Sequence, residues 1–301
     1  MKKNTIITAI YFSSPLSRMG GRGYTFEHYE GPFRNILNLD SNLIIYSHAP
    51  EIDKIVAFLE KYNFKDYKII DYDLNQFTYS EKIYLLKEKS GLINENGLTS
   101  DKHYMANDRN HHLCLNKPFF IKNAIDNNFF ESENYFWVDA GLFHHGIFPE
   151  SYGGIEKLTK VRDEKYWPNL KKNVANPNMF NLLFEKVIGD LILIGMDAAH
   201  GAPYWFRNFS EQNKLTHIVG GLFGGKKESV IELCNDFEKI LKDVMDNDIL
   251  SLEEEILSIL YSKKYNKIGH LSFKNWYHDV PTDPNYFDVD ENAPCFYKIF
   301  K

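Results

Sequence analysis

The chain has 301 residues, 44% of them hydrophobic and 25% charged, which is typical of a folded globular protein. Its formal net charge of -6 argues against binding to a nucleic-acid polymer, because such proteins usually carry a basic excess. Cys114, Cys234 and Cys295 are far apart and form no CxxC pair, so neither a zinc site nor a disulfide framework is predicted.

The same features predict a cytoplasmic protein. Unpaired cysteines suit a reducing compartment. The N-terminal residues lead directly into a strand-like run at 5–12, which is too short for a secretory signal core. No stretch approaches the roughly 20 apolar residues that span a bilayer, so at most peripheral attachment to the inner face of the cytoplasmic membrane is expected.

Strand and helix patterns alternate in the first part of the chain. Residues 5–12, 42–47 and 67–71 are β-branched or aromatic and predict strands, and a glycine- and arginine-bearing loop at 13–23 follows the first of them. Apolar spacing predicts a helix at 51–62. This alternation predicts an α/β fold with a parallel, doubly wound sheet.

Further helices are predicted at 79–89 and 117–127, separated by a polar loop at 90–110 that is expected to be mobile. Residues 135–139 predict an apolar strand that ends in an acid.

Strands at 191–194 and 216–219 precede a strongly amphipathic helix at 228–246 and a second helix at 252–261. The tail from 277 is rich in Pro, Asp and Asn and predicts irregular structure. Without a repeat or linker, we expect a single domain over 1–301.

The first candidate site is Trp137-Val-Asp139-Ala-Gly141. Ligands of open parallel sheets gather outside the carboxyl ends of strands, where Asp139 could hold Mg²⁺ or Mn²⁺ against a diphosphate. Alternatively, Asp139 caps the turn after its strand.

The second candidate is a loop in which Gly220, Gly221, Gly224 and Gly225 flank Leu-Phe. Glycines let the backbone approach a ligand, although a tight turn before the helix would also use them. The spacing matches neither the GxGxxG fingerprint nor a nucleotide-triphosphate loop.

Carboxylates at 253–255 form the third candidate. Glu254 or Glu255 could act as a general base, but Ser251 and Glu254 also have the spacing of a helix capping box. The fourth candidate pairs His270, as a metal ligand, with Lys274, as a phosphate contact.

Lys117, Arg18 and Arg22 could each meet a diphosphate or be ordinary surface charges. The doublets 111–112 and 144–145 are not predicted to chelate a metal, because adjacent strand residues point to opposite faces.

In this order, the four candidates resemble the GT-A glycosyltransferases, which have an acidic strand-end DxD motif, a glycine loop, an acidic helix start and a late metal-binding His. The resemblance implies a GT-A-type, Rossmann-like fold and places Thr8, Ala9 and Tyr11 on the nucleotide-binding first strand. More narrowly, residues 7–12, 116–141 and 220–225 look like the HtrL/YibB (WlaTC) family, which is associated with bacterial lipopolysaccharide and surface-glycan genes.

One position departs from DxD: residue 141 is Gly, so the second acid is absent. Either Asp139 holds Mn²⁺ or Mg²⁺ with His270 and the diphosphate, or the enzyme is metal-independent. Both alternatives stay open.

The resemblance implies a glycosyltransferase that uses a nucleotide-sugar donor, expected to be a UDP-sugar, and an oligosaccharide or glycolipid acceptor. Donor binding falls to Thr8, Ala9, Tyr11, Arg18, Lys117, Asp139, Gly141, Gly220, Gly221, Gly224, Gly225 and Lys274, and catalysis to Asp139, Glu254 and Glu255. Alternative functions are transfer of a phosphoryl-type substituent onto a glycan and carbohydrate binding without catalysis.

Overall fold

The computed structural model describes residues 3–11, 18–19, 22–23, 26, 30, 33–34, 36–37, 39–91, 93–94, 97–98, 108–140, 191–196, 217–265, 270–273 and 296–299. Contacts divide the chain into two compact units of three segments each. Unit 1 comprises Met1–Tyr29, Ser41–Trp137 and Lys226–Ile256, and unit 2 comprises Glu30–Asp40, Val138–Gly225 and Leu257–Lys301. The sequence pattern predicted a single domain over 1–301, and the division into two units leaves that prediction untested.

The strands of unit 1 confirm the predicted parallel sheet. They are β1 (Asn4–Ala9), β2 (Asn42–Ser47), β3 (Tyr67–Asp71) and β4 (Asn134–Val138), which lie in the order β4-β1-β2-β3 with every neighbouring pair parallel. Every residue of β1, β2 and β4 is buried, as expected for parallel strands covered on both faces.

The helices of unit 1 follow the predicted alternation. They are α1 (Ala49–Lys61), α2 (Ser80–Lys89), α3 (Asp108–Asn127) and α4 (Lys227–Asp246), and α5 (Glu253–Leu260) begins in this unit. Short elements complete it: a 3-10 turn (Leu74–Gln76) and two-residue strand pairs at Arg18–Met19 with Arg22–Gly23 and Ile93–Asn94 with Gly97–Leu98.

Aromatic side chains pack α3 against the sheet. Phe120 of α3 stacks on Trp137 of β4 with ring centroids 5.9 Å apart and lies 4.6 Å from the ring of Tyr46 in β2. On the same helix, Phe119 meets Phe237 of α4 edge-on at 6.5 Å. Since these five rings come from distant parts of the sequence, α3 joins the sheet to α4.

Buried polar side chains link the strands at their amino ends. The hydroxyl of Ser132, just before β4, lies 2.7 Å from Thr5 Oγ1 and accepts from Asn42 Nδ2 at 3.2 Å. Beside them, Asn134 Nδ2 donates to Asn4 Oδ1 at 2.9 Å. These bonds connect β1, β2 and β4.

The described strands of unit 2 are β5 (Leu191–Met196), β6 (His217–Lys226), β7 (His270–Phe273) and β8 (Phe296–Ile299), in the order β8-β7-β5-β6. β5 is antiparallel to β6 and parallel to β7, which is antiparallel to β8. A π-helical turn (Tyr261–Tyr265) follows α5. The buried residues of unit 2 include Phe33, Leu193, Ile218, Phe223 and Leu257.

Two predicted elements differ from the structure. The helix expected at 117–127 begins at Asp108, so Pro118 lies inside it, although the pattern placed the proline at the helix start. The tail expected to be irregular from 277 contains β8, which pairs with β7. Within the described residues, no helix combines the length and apolar character needed to cross a membrane.

Candidate functional site

The strand order of unit 1 reverses at β1. The next strand in the chain, β2, lies on one side of β1, and β4 lies on the other. In open parallel sheets, ligands bind outside the carboxyl ends of the strands at such a reversal. Thr8 and Ala9 close β1 and Tyr11 follows it, so three of the predicted donor-binding residues lie at this position.

Thr8 carries a polar atom that the fold leaves unused. Its side chain is fully buried, and Oγ1 has no hydrogen-bond partner among the described residues. A buried hydroxyl without a partner costs stability. A buried polar group without a partner, at the position where the strand order reverses, is typical of a ligand-binding site.

The ring of Tyr11 is held in one orientation by its neighbours. It stacks on His48 with centroids 5.7 Å apart and meets Phe77 edge-on at 5.6 Å. Its hydroxyl donates to the carbonyl oxygen of Tyr72 at 2.9 Å. Because Tyr11, His48 and Tyr72 follow β1, β2 and β3 respectively, they form an aromatic group at the carboxyl ends of three adjacent strands.

A buried carboxylate lies beside this aromatic group. Ser47, the last residue of β2, donates from its hydroxyl to the carbonyl oxygen of Ile10 at 2.7 Å and lies 3.1 Å from Glu51 Oε2. The other oxygen, Oε1, is 3.8 Å from His48 Nε2. Glu51 is in the first turn of α1, where the helix dipole favours a negative charge.

The sequence prediction missed His48 and Glu51. The available signal was the pair Ser47-His48 directly after a strand, followed by Pro50, which is favoured in the first turn of a helix. Together these residues indicate that His48 connects a strand end to a helix start, where ligands of α/β proteins bind.

Lys117 lies inside unit 1, in contact with an acid. Its Nζ is 3.1 Å from Glu253 Oε1, and the two side chains are only 4% and 5% exposed. The same Nζ lies 5.8 Å from the centroid of the Trp137 ring, a cation–π distance. The ammonium thus already has an anionic partner and an aromatic partner. Its contact with a diphosphate stays a prediction.

The start of α5 is capped by Glu255. Its Oε2 accepts hydrogen bonds from the Leu252 N–H and from the Ser251 hydroxyl, both at 2.9 Å. The sequence spacing had assigned the capping acid to Glu254. Because α5 begins at Glu253, the third helical residue that reaches back to the cap is Glu255. Glu254 is half-buried, and its catalytic role stays a prediction.

In unit 2, the half-buried Asp139 is fixed through its backbone. Its N–H donates to the carbonyl oxygen of Gly221 at 2.9 Å. Gly221 lies where the register of β6 against β5 shifts between Val219 and Phe223, which marks a β-bulge. The bulge therefore fixes the backbone that carries this carboxylate.

The sequence pattern predicted that the four glycines form a loop, but in the structure they lie within the strand β6. Gly220, Gly221, Gly224 and Gly225 are all buried. Gly224 and Gly225 have φ values of 156° and 154° and pair with β5, so their conformation is one that side chains rarely adopt. At Gly224 and Gly225, glycine is therefore required by the backbone conformation of the strand itself.

The remaining predicted residues are only partly described. His270 opens β7, and β5 lies between β7 and β6, the strand whose bulge binds the Asp139 backbone. Arg18 and Arg22 lie on two short antiparallel strands, in which Arg18 is opposite Gly23 and Arg22 is opposite Met19. Gly141 and Lys274, like the second His doublet and Cys295, lie outside the described residues. Within the described ranges, no three His, Cys, Asp or Glu side chains cluster as metal ligands.

A family model described as "Bacterial protein of unknown function (HtrL_YibB)" matches residues 3–161, just over half of the chain. Comparison with curated proteins gave no match. The apo form of mouse xyloside xylosyltransferase 1 is similar with a TM-score of 0.41 and 12% identity, over 86% of this chain and 82% of that chain. The 4-diphosphocytidyl-2C-methyl-D-erythritol synthase from Anaerococcus prevotii is similar with a TM-score of 0.37 and 12% identity, over 100% and 91%. At similarity this low, only the chain's own residues can support a function.

Proposed function

The chain belongs to the HtrL_YibB family of bacterial proteins, and we propose that it is a GT-A-type glycosyltransferase that uses a nucleotide-diphosphate sugar. The donor is a UDP-sugar and the acceptor a bacterial surface glycan or a lipid-linked sugar. The observation that carries this proposal is the reversal of strand order at β1, with Thr8 and Tyr11 at its carboxyl end.

The aromatic group at this edge suits a flat ring. Tyr11 and His48 are stacked, and they are only 8% and 15% exposed. A nucleobase at this edge would therefore meet ring edges that are already fixed in place. The buried Thr8 hydroxyl adds a polar group without a partner among the described residues. These features support nucleotide binding through a few fixed groups.

The transfer itself needs a leaving group and a base. The acceptor oxygen bonds to the anomeric carbon, and the bond from that carbon to the phosphate oxygen breaks. The nucleoside diphosphate leaves with the electron pair, and a carboxylate takes the hydroxyl proton. Glu254 is proposed as this carboxylate, because it is half-buried in the first turn of α5, between the ion pair of Glu253 with Lys117 and the cap formed by Glu255.

The donor set for a divalent cation is incomplete among the described residues. Asp139 has no second acid at position 141, and no three-ligand cluster occurs within the described ranges. Sugar transfer that is abolished by EDTA and restored by Mn²⁺ would establish the metal role that the resemblance implies.

The first test is nucleotide binding. UDP, CDP, GDP and ADP are added separately, and thermal unfolding of the full chain is followed. We expect UDP to raise the melting temperature, because a ligand that binds only the folded state stabilises it. If no nucleotide raises it, the proposed function is wrong.

The second test is Asp139→Ala. We expect transfer from a UDP-sugar to fall by about 100-fold or more, because Asp139 follows β4 where charge on the leaving group would be met. Asp71→Ala is the matched control, since Asp71 is an exposed acid that ends β3, another strand of the same sheet. Full activity of Asp139→Ala would remove Asp139 from the site, and turnover with phosphoryl donors alone would favour the alternative transferase.

A further inference from the structure

We infer that Lys117 is a positioning residue that holds the start of α5 for the acceptor side of the reaction, and is not a ligand of the donor diphosphate. The inference rests on the proposed function. It assigns a different role to Lys117 from the one that its sequence pattern predicted.

The ion pair is the first observation. Lys117 Nζ and Glu253 Oε1 are 3.1 Å apart in side chains that are almost fully buried. A diphosphate could reach this ammonium only by displacing Glu253 and leaving its carboxylate buried without its cation. That loss is severe, because an uncompensated charge in the interior has no water to solvate it.

A second contact from the same helix holds the same segment. Nε2 of the buried His111, also on α3, lies 2.8 Å from the carbonyl oxygen of Ser251. Since a carbonyl only accepts, this ring nitrogen carries the proton. Helix α3 therefore fixes the segment 251–255 at Ser251 and at Glu253.

The cap completes the arrangement. Glu255 bonds to Ser251 and to the Leu252 N–H, so 251, 252, 253 and 255 all make specific polar contacts. Glu254 lies between these residues, in the first turn of α5, and is half-buried. The contacts of its neighbours thus set the position of the carboxylate that the proposed function uses as base.

Lys117 also ties this segment to the sheet. Its ammonium lies over the ring of Trp137, which stacks on Phe120 one turn further along α3. The end of β4 and the start of α5 are therefore joined through one side chain. A shift of Lys117 would move Glu254 relative to the strand edge where the donor is proposed to bind.

The test separates donor binding from transfer. UDP affinity and the rate of transfer to acceptor are measured for Lys117→Met and Glu253→Gln, with Lys122→Met as control because Lys122 is a half-buried surface lysine of the same helix. Both pair variants should bind UDP within about twofold of the unaltered protein. Their transfer should slow by about 100-fold, as expected for a displaced catalytic group.

Hydrogen exchange gives a reading that does not depend on activity. Amides at 252–256 should exchange faster in Lys117→Met, and not in Lys122→Met. If Lys117→Met is too unstable to study, Lys117→Met/Glu253→Leu removes both charges and avoids a buried unpaired one. This double variant should also bind UDP and transfer slowly.

The opposite pattern would overturn the inference. It would be a loss of UDP affinity in Lys117→Met, together with tighter binding in Glu253→Gln, because freeing the ammonium then helps the phosphate. Normal transfer by the double variant would overturn it as well. If the unaltered protein binds no UDP, the proposed function fails, whereas exchange at 252–256 still decides whether Lys117 holds the segment.

Discussion

The phenol of Tyr46 shows how a single buried group joins a strand to a helix. Its oxygen lies 2.7 Å from Asn123 Oδ1 and 3.0 Å from the carbonyl oxygen of Phe120, both on α3. Burial, with smaller effects of Tyr72 and Asp126, raises the pKa of Tyr46 well above its ordinary value. The folded protein therefore keeps this proton at pH values where an exposed tyrosine loses it.

Tyr46→Phe should lower the free energy of unfolding by about 1–3 kcal/mol at pH 7, because it leaves buried acceptors without a donor. The folded pKa is raised, so the contribution of Tyr46 is complete below about pH 10 and is lost as the pH rises above that value. The difference in urea stability between the two proteins should therefore shrink above pH 10. Tyr84→Phe, at an exposed tyrosine, is the control; a difference that grows above pH 10 would contradict this account.

At the scale of single residues, the sequence indicated chemistry better than contacts. The strand-end pattern pointed to Asp139 and the family resemblance to Thr8 and Tyr11. The structure places these residues at or just after the ends of β1 and β4, and their roles stay predictions. The partner of Lys117 could not be predicted, because Glu253 is 136 positions away in the chain. Only the folded backbone brings these two side chains together.

At the scale of elements, periodicity predicted most strands and helices of unit 1, and glycine and proline caused the errors. Gly220 and Gly221 indicated a loop, but β6 accommodates them through a bulge. The helix expected at 117–127 would have had Pro118 at its start, but α3 begins at Asp108 and contains this proline. In both cases, long-range packing overrides a local preference that is worth only a few kcal/mol.

The cap of α5 gives a prediction at this scale. Glu255→Ala should lower the free energy of unfolding by about 1 kcal/mol, because the Leu252 N–H and the Ser251 hydroxyl lose their acceptor. Glu255→Gln should keep most of this stability, since the amide oxygen can accept the same bonds. Urea unfolding of the three proteins measures the effect, and equal stability of Glu255→Ala and the unaltered chain would show that the cap contributes nothing.

At the scale of the whole molecule, the sequence predicted the α/β class and the family, and both are confirmed. It did not predict the interleaving of chain segments. Unit 1 takes its third segment, Lys226–Ile256, from beyond the residues that match the family model. The amphipathic pattern predicted the helix at 228–246 but not its place in unit 1, because its apolar face meets α3 only in the folded protein.

A fragment of residues 1–161, the part that ends with the family match, should therefore not fold by itself. Without α4, Phe119 of α3 loses Phe237, and the core loses the buried residues of α4, which include Val230, Leu233 and Leu241. Circular dichroism and urea titration of the fragment should show no cooperative transition, whereas the full chain should show one. A cooperative transition in the fragment would mean that α4 is dispensable.

The polar group around Ser132 has a consequence for how the strands align. Because β1, β2 and β4 are buried along their whole length and rich in hydrophobic residues, sliding one strand past another would still bury hydrophobic side chains, and many alignments would have nearly equal free energy. The bonds from Ser132 to Thr5 and Asn42, and from Asn134 to Asn4, form in one alignment only. Any other alignment would leave buried amides and hydroxyls without hydrogen-bond partners in an apolar layer. These few hydrogen bonds therefore select one register of the sheet, and with it the position of every residue at the opposite, carboxyl end, where donor binding is proposed.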